Sequence, residues 1–481
     1  MIIFVLLIPL VIALMVFFTS QNTARTLALL GTIANLGLSG WMIANYNTSD
    51  GNYAYEYLWP WIASAGINFH LGADGIGLLM VLLTNLLTVF IISSNWGQEK
   101  APTGQYYGLV LLMQTALLGV FTALDGLLFY VFWELALLPI SLICVRWGGE
   151  NKLKTTLKFF LYTFVGSLFM LVSLLYVYLQ TPGNHSMYIA DLYAVQLTPA
   201  TAFWVLLGFF LAFAIKMPVF PFHTWQPDTY TMAPTGGTML LSGIMLKMGV
   251  YGVIRWMLPI APEGWSSIAP FFVFLAVVGI IYASIIAIQQ TDFKRLIAYS
   301  SIAHVGVIAA GVFAANAEGL QGGLIQMLNH GINIVGLFFI GHIIEQRLNT
   351  RNLANMGGIA QNAPKFAAMF MIILLGSVAI PLTNGFVGEF LLLNGLYIYK
   401  PLAALFAGLT IILCAVYMLR VYQLAMFGHS NAATANFEDV KNREFWVLSG
   451  ICFLVLLLGV YPQPILNLTE SSVQKILLLA K

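Results

Sequence analysis

Four charged side chains lie deep inside apolar stretches of this sequence: Glu134, Lys216, Lys247 and Glu389. An ionisable group in a membrane helix costs about 2.5 to 3.5 kcal/mol on insertion scales, so such groups usually form ion sites or proton relays. The alternative is that a charge extends back to the membrane surface, which suits the long stem of Lys216 better than the short stem of Glu134. The four residues are therefore predicted to be functional, each with a partner nearby.

Histidines offer a second set of candidates. His304 and His330 each fall within an apolar stretch, where a lone histidine is often only a hydrogen-bonded core residue, so both interpretations stay open. An imidazole, with an ordinary pKa of about 6.5, can also relay a proton at modest cost. His223 and Asp228 follow Lys216 closely, just after the point where prolines interrupt the apolar stretch.

The composition defines the environment of these groups. Of 481 residues, 60% are hydrophobic and 8% are charged, against about 25% charged residues in an ordinary soluble domain. So much apolar surface requires a lipid bilayer, which a helix spans with roughly 20 apolar residues. The net charge of +2 and the lack of a long basic run argue against nucleic acid as a partner. The sequence predicts an all-α polytopic membrane protein.

Cofactor chemistry has little support in the sequence. There is no P-loop, GxGxxG, HExxH or CxxC motif, and Cys144, Cys414 and Cys452 lie far apart in apolar surroundings, as core residues do. We expect no cofactor, metal or redox catalysis on this chain. The first apolar stretch lacks a positive leader and a small-residue cleavage site, so we expect it to be a retained span.

Apolar runs separated by glycine, proline or charge predict about fourteen membrane spans. They cover residues 2–19, 27–44, 74–93, 107–123, 127–145, 156–180, 201–229, 234–258, 267–289, 294–313, 320–346, 366–394, 400–427 and 444–465. Residues 45–73 between the second and third spans contain Trp and Tyr but no lysine or arginine, which indicates an interfacial cap on the outer side.

The basic residues test this count, because cytoplasmic loops are enriched in lysine and arginine. Alternate loops hold most of them: Arg25, Lys100, Arg146, Lys152, Lys154, Lys158, Lys294, Arg295, Arg347, Arg351, Lys365, Arg420, Lys441 and Arg443. The opposite loops hold only Arg255, Lys400, Lys475 and Lys481. The pattern predicts that both termini lie on the outer side of the membrane.

Two spans are predicted to be discontinuous. Pro218 and Pro221 follow Lys216, and Pro381 precedes Glu389; proline removes a backbone donor and clashes with the preceding turn. The predicted spans 4 to 8 and 9 to 13 form two successive sets of five, and each break lies in the fourth span of its set. Because five is odd, the second set begins on the opposite side of the membrane and is inverted relative to the first. Matching broken helices in inverted repeats mark a transport path. We expect four units: residues 1–106, a first repeat over 107–258, a second over 259–428, and a C-terminal helix and tail over 429–481.

Five segments carry a resemblance to a known family. They are FWELALLPI, AFAIKMPVFPFHTWQPD, LLSGIMLKMGVYGVIR, DFKRLIAYSSIAHVG and NGFVGEFLLL. Together they resemble the antiporter-like membrane subunits of respiratory complex I, the NADH:quinone oxidoreductase, and cover most of the fifth to twelfth spans. A glutamate in the second broken helix, here Glu389, is typical of the M-type branch, whereas L- and N-type members have lysine there.

The resemblance implies a function and partners. Members of this family have a fourteen-helix core and translocate protons, coupled to quinone reduction in a complex whose FMN, iron–sulfur clusters and quinone belong to other subunits. It implies that Glu134 and Lys216 form an ion pair on the input side and that Lys247 is the central relay. The implied partners are the L- and N-type subunits and small membrane subunits.

It also implies that His304 and His330 continue the relay to Glu389 on the exit side. One departure concerns proton uptake. Relatives commonly read HxWLPDAH, followed by a polar residue and AP, whereas HTWQPDTYTMAP has Tyr230 and Met232 at those positions. A titratable group expected near the cytoplasmic side is therefore missing, and Asp228 or His223 is the candidate to replace it.

Two other functions remain open from the sequence. One is a subunit of an Mrp-type cation/proton antiporter, which has the same fold without quinone chemistry; Glu389 argues against it, because lysine is expected there. The other is a membrane-arm subunit of a hydrogenase-related or photosynthetic complex.

Overall fold

The computed structural model describes residues 1–95 and 103–480, so Lys100 and Lys481 of the charge pattern lie outside the described residues. The N-terminal part contains three helices and one pair of strands. In chain order these are α1 (Ile2–Val16), α2 (Gln21–Ala44), β1 (Ala54–Ile62), a 3₁₀ turn (Ala63–Ala65), β2 (Ile67–Ala73) and α3 (Gly75–Ser94).

The next segment contains three longer helices and several short ones. In chain order they are α4 (Gly104–Thr122), α5 (Gly126–Leu135), α6 (Leu137–Trp147), α7 (Lys152–Gln180), α8 (Ile189–Tyr193), α9 (Pro199–Lys216), α10 (Gln226–Met232), α11 (Thr235–Leu240), a π-helical turn (Leu241–Met245), α12 (Lys247–Gly252), a second π-helical turn (Val253–Met257) and α13 (Leu258–Ile260).

The remainder of the chain is again helical. It comprises a 3₁₀ turn (Pro262–Gly264), α14 (Trp265–Gln289), α15 (Phe293–Phe313), α16 (Ala317–Leu348), a 3₁₀ turn (Leu353–Asn355), α17 (Ile359–Asn362), α18 (Pro364–Val378), α19 (Asn384–Tyr399), α20 (Pro401–Met426), α21 (Asn442–Val460) and α22 (Gln463–Leu479).

Several helices begin at a polar residue that binds the free backbone N–H groups of the first turn. Asp74 accepts a hydrogen bond from the Gly77 amide at the start of α3, at 3.0 Å. Asp125 caps α5 by accepting from the amides of Leu127 and Leu128, and Asp292 accepts from Arg295 at the start of α15. These acidic caps lie at the ends of apolar stretches, where the chain leaves the membrane.

Within the described residues, 12 helical segments have the length and hydropathy of membrane spans. Two shorter apolar helices, Ile2–Val16 and Pro364–Val378, accompany them. The polytopic helical fold is therefore confirmed, while the exact number of spans and the inverted repeats stay predictions.

Burial identifies the centre of the bundle. The segment Thr235–Ile260 is 100% buried within its most apolar window, and Phe293–Phe313 and Ala317–Leu348 are 94% and 89% buried. By contrast, only 28% of the corresponding window of Pro401–Met426 is buried. The helices that carry Lys247, His304 and His330 are thus surrounded by protein, whereas α20 has one face turned outward.

Both predicted breaks are present. Helix α9 ends at Lys216 and α10 begins only at Gln226. Helix α18 ends at Val378 and α19 begins at Asn384. Between them, Ala379 and Leu382 have φ angles of +61° and +73°. Helices α5 and α6 are separated only by Ala136, which keeps helical backbone angles, so together they cover one membrane-length segment, Gly126–Trp147. Each break lies beside a charged residue of the candidate relay.

The outer cap differs from the prediction. Strands β1 and β2 form an antiparallel hairpin where the sequence predicted only an interfacial loop. An isolated hairpin is marginally stable, and this one is supported by packing against α1 and α4. Likewise, α21 ends at Val460, short of the predicted limit of 465, and the expected tail forms α22, which packs on α3 and α16.

Candidate functional site

Lys247 lies at the centre of the buried helices and is 0% exposed. Its ammonium nitrogen is 2.8 Å from Nδ1 of His330 and donates to the carbonyl oxygen of Ser242 at 2.5 Å. Ser242 belongs to the π-helical turn that precedes Lys247. Wider turns of this kind recur at functional sites, and this one presents a backbone oxygen to the buried charge.

His330 and His304 continue the line from Lys247. The Nε2 atom of His330 is 3.2 Å from the hydroxyl oxygen of Ser301, and the two imidazole ring centres are 6.1 Å apart. Both histidines are 5% exposed. The structure therefore brings together two residues that are 26 positions apart in sequence, on α15 and α16.

Glu389 meets the opposite side of this line. Its Oε1 atom is 2.8 Å from Nδ1 of His304, and the carboxylate is buried, with 2% exposure. Because α19 begins just after the second break, Glu389 lies in the second turn of a short helix rather than midway along a continuous one.

Further side chains around His304 were not singled out by sequence reasoning. Nε2 of His304 is 3.4 Å from the sulfur of Cys414. On the same two helices, the hydroxyl groups of Ser300 and Tyr417 are 3.1 Å apart. All three cysteines are buried, as expected, but Cys414 also contacts the candidate relay. Only the three-dimensional packing of α15 against α20 reveals this contact.

Lys216 and Glu134 are neighbours without direct contact. Within the described parts of the chain, no ion pair within 4.0 Å joins them, and the Lys216 ammonium lacks a hydrogen-bond partner. That nitrogen lies 5.2 Å from the ring centre of Trp133, the residue that precedes Glu134. Lys216 is 1% exposed. The implied ion pair is therefore open in this structure, with an aromatic ring facing the lysine.

The two candidates for proton uptake lie in different surroundings. Asp228 is 40% exposed and pairs with Lys158 and Arg295 at 3.1 and 3.2 Å. His223 is buried, and its ring lies against Phe220 and Tyr282. The structure does not bring them together into one site.

Asp228 lies on the wall of a cavity of about 1390 Å³. Lys294, His342 and Thr235 also line this cavity. The ammonium of Lys294 donates to the Ala233 carbonyl at 2.6 Å, and Nδ1 of His342 is 3.0 Å from the Thr235 hydroxyl. His342 becomes part of this polar cavity because α16 extends beyond the apolar core.

Arg255 differs from its predicted location in an outer loop. It is 2% exposed and forms a buried ion pair with Asp74, with 2.5 Å between Nη2 and Oδ1. Its Nη1 also donates to the Tyr53 hydroxyl at 3.1 Å. Burial raises the pKa of the Tyr53 phenol, so this partner stays neutral. The cluster ties the outer end of the Lys247 segment to the start of α3.

Metal binding has no candidate site among the residues that the structure describes. Within them, no group of three or more His, Cys, Asp or Glu side chains is arranged to hold a metal ion. The buried side chains of Lys247, His330, His304 and Glu389 are instead groups that can bind and release protons.

A buried line of lysine, histidine and glutamate, crossing a helical bundle between interrupted helices, defines the class of ion-translocating membrane proteins. The family model described as "NADH:quinone oxidoreductase/Mrp antiporter, TM" matches residues 123–414. The chain belongs to this family. The resemblance based on the five sequence segments is thereby confirmed.

Curated proteins that are similar to this chain are M-type subunits, the branch predicted from Glu389. The chain is 39% identical over 94% of its length to NADH-quinone oxidoreductase subunit M of Rickettsia conorii, of which 91% is covered. It is 37% identical over 94% of its length to the subunit M of Rhodobacter capsulatus, of which 90% is covered.

Among solved structures, a chain of respiratory complex I from Thermus thermophilus with bound NADH matches with a TM-score of 0.91 and 33% identity, covering 99% of this chain and 100% of that chain. A chain of the Mrp complex from Dietzia sp. has a TM-score of 0.86 at 20% identity, covering 98% and 97%. The latter likeness concerns the fold alone.

Proposed function

We propose that this chain is the M-type proton-translocating membrane subunit of an NADH:quinone oxidoreductase. The observation that carries the proposal is the buried line Lys247–His330 and His304–Glu389, in which each pair is 2.8 Å apart. Chemistry of NADH and quinone occurs in other subunits, which hold the FMN and iron–sulfur clusters. The contribution of this chain is to move protons.

Lys247 is the central relay in this proposal. It shares a proton with His330, whose second nitrogen approaches Ser301. Ring centres 6.1 Å apart leave a short gap to His304, which a water molecule can bridge. Glu389 receives the proton and releases it on the exit side.

Glu134 and Lys216 act as the switch on the input side. Two opposite unit charges 4 Å apart interact by about 4 kcal/mol at an effective dielectric constant of 20. Moving one charge against 100 mV requires about 2.3 kcal/mol. Closing and opening this pair therefore changes enough electrostatic energy to drive a proton from one site to the next. The open arrangement, with Lys216 facing Trp133, corresponds to one of the two states.

Proton uptake proceeds through the cavity lined by Asp228, Lys294, His342 and Thr235. Helix α11 begins at Thr235, on the wall of this cavity, and leads to Lys247. Along it, the Ser242 hydroxyl donates to the Thr238 carbonyl at 2.7 Å, and the Ser242 carbonyl accepts from Lys247. These polar groups mark a route from the cavity to the central lysine. His223 is the alternative uptake group, on the side of Lys216.

The wider arrangement follows from the same proposal. The subunit lies in a bacterial cytoplasmic membrane with both termini on the periplasmic side, in contact with lipid, L- and N-type subunits and small membrane subunits. Residues 107–258 and 259–428 are inverted repeats flanked by residues 1–106 and 429–481. The equivalent breaks after Lys216 and before Glu389 support this division.

Replacing Lys247 tests the function. In the assembled complex, Lys247→Met keeps the length of the side chain but removes its proton. We expect NADH oxidation with an artificial electron acceptor to be unchanged, and NADH-driven acidification of everted vesicles with quinone to fall about tenfold or more. Lys400→Met, at an exposed position, is the control.

Unchanged acidification in Lys247→Met would refute the relay. A sodium- or potassium-driven proton exchange in vesicles that persists without NADH and without the redox subunits would instead identify an Mrp-type antiporter.

A further inference from the structure

Cys414 connects the relay to the second helix break. Its sulfur is 3.4 Å from Nε2 of His304 and 3.6 Å from the carbonyl oxygen of Ser377, in the last turn of α18. The side chain is buried, with 1% exposure. The Tyr417 hydroxyl is a further neighbour of this thiol, but it already has the Ser300 hydroxyl as a partner at 3.1 Å. The thiol has only one hydrogen to donate among these polar groups.

The Ser377 carbonyl has the stronger need for that hydrogen. In a continuous helix it would accept from the residue four positions later, but that residue is Pro381, which has no N–H. The amide of Ile380 donates instead to Leu375. A buried carbonyl without a donor costs about 1 to 3 kcal/mol. The thiol hydrogen consequently points to Ser377.

This orientation leaves a sulfur lone pair facing His304. The nearest ring atom, Nε2, must then carry a hydrogen, because two lone pairs facing each other would repel. The other nitrogen, Nδ1, faces the Glu389 carboxyl group at 2.8 Å. When Glu389 is protonated, Nδ1 accepts its hydrogen bond; when the proton moves to Nδ1, an imidazolium and a carboxylate result.

We propose that Cys414 is a positioning residue that fixes the tautomer of His304, so that the ring exchanges its proton with Glu389 through Nδ1. The inference rests on the proposed relay and refines it. A proton that arrives from His330 therefore enters and leaves this pair at Nδ1 and the Glu389 carboxyl group, because Nε2 faces the thiol. His304 and Glu389 together store one proton on the exit side.

The groups that face His304 are few and come from three helices. They are Glu389 of α19, Cys414 of α20 and His330 of α16, and Lys247 lies on the far side of His330. Tyr417 of α20 neighbours Cys414 and Glu389. Cys452 offers a matched control, since its sulfur lies 3.6 Å from the Met369 carbonyl and that buried thiol belongs to α21, away from the histidines.

The test compares Cys414→Ala, Cys414→Ser and Cys452→Ala in the assembled complex. Infrared difference spectra with labelled histidine report the tautomer, and NADH-driven proton pumping is measured against pH. Cys414→Ser retains a donor for Ser377 and an acceptor for Nε2, so we expect a wild-type tautomer and pH profile. Cys414→Ala should mix the tautomers, shift the pH profile by about one unit and lower pumping about threefold or more.

Cys452→Ala should match the wild type in both measurements. A wild-type tautomer and pH profile in Cys414→Ala would overturn the positioning role, and so would an equal effect of Cys414→Ser and Cys414→Ala. Glu389→Gln separates the two hypotheses. If Glu389→Gln blocks pumping while Cys414→Ala has no effect, only the positioning role fails; if Glu389→Gln pumps normally, the proposed relay itself fails.

Discussion

The ammonium nitrogen of Lys247 and Nδ1 of His330 lie 2.8 Å apart in the most deeply buried part of the bundle. The second partner of Lys247 is a backbone carbonyl, that of Ser242. Neither partner is a carboxylate. The charge at this position therefore depends on which group holds the proton and not on a permanent counter-ion.

His330→Gln tests the transfer step next to Lys247. Glutamine offers a hydrogen-bond acceptor to the lysine but cannot carry a proton at neutral pH. We expect normal assembly and a loss of pumping of about tenfold or more, measured as NADH-driven acidification of vesicles. His429→Gln, at an exposed position, is the control. Pumping at the wild-type rate in His330→Gln would show that the proton bypasses this ring.

Glu134→Gln tests the input switch. The variant removes the charge but keeps the shape, and no direct ion pair with Lys216 exists in this structure to be lost from the fold. We expect intact assembly, with lower proton pumping and lower coupled quinone reduction. Glu470→Gln, at an exposed position outside the uptake cavity, should have no effect. Normal pumping by Glu134→Gln in proteoliposomes would contradict the role of the pair.

Three substitutions of Glu389 test the exit. Glu389→Gln should block proton release, because the amide cannot exchange a proton with His304. Glu389→Lys should be milder than Glu389→Leu, since a titratable group remains, although lysine next to the imidazole loses the hydrogen-bond acceptor. The rate and extent of acidification distinguish the three. Equal losses in the lysine and leucine variants would mean that the carboxylate is specifically required.

Arg255→Met tests the buried outer ion pair. Removing one partner leaves the Asp74 carboxylate buried and uncompensated, which costs about 3 to 5 kcal/mol in comparable sites. We expect a lower unfolding temperature and less assembled complex, measured in detergent by thermal scanning and native gels. The double variant Arg255→Met with Asp74→Asn should recover part of the loss, since asparagine can still cap α3. Unchanged stability in the single variant would contradict the structural role.

Much of the candidate site was predictable from the sequence because charge is rare in this chain. With 8% charged residues, Lys247 and Glu389 stand out in apolar stretches, and Pro218 and Pro381 mark the breaks beside them. These are local signals. The resemblance to a known family then supplied the expected order of the residues along the path.

The rest of the candidate site depends on contacts between segments that are far apart in the sequence. Cys414 and His304 are 110 positions apart in the sequence. The residues that flank a buried cysteine in the sequence do not show whether its sulfur contacts a histidine or only apolar side chains. Arg255 was predicted to lie in a loop because it stands near the end of an apolar run. Its partner, Asp74, is 181 positions away, so no local pattern indicated the ion pair.

The two π-helical turns, Leu241–Met245 and Val253–Met257, enclose the short helix that begins with Lys247. One residue of an α-helix corresponds to about 100° of rotation. If the first wide turn moved along the chain by one position, the lysine side chain would swing around the helix axis, away from His330. The hydrogen-bond register of this segment therefore determines whether the Lys247 ammonium and the His330 imidazole are within contact distance.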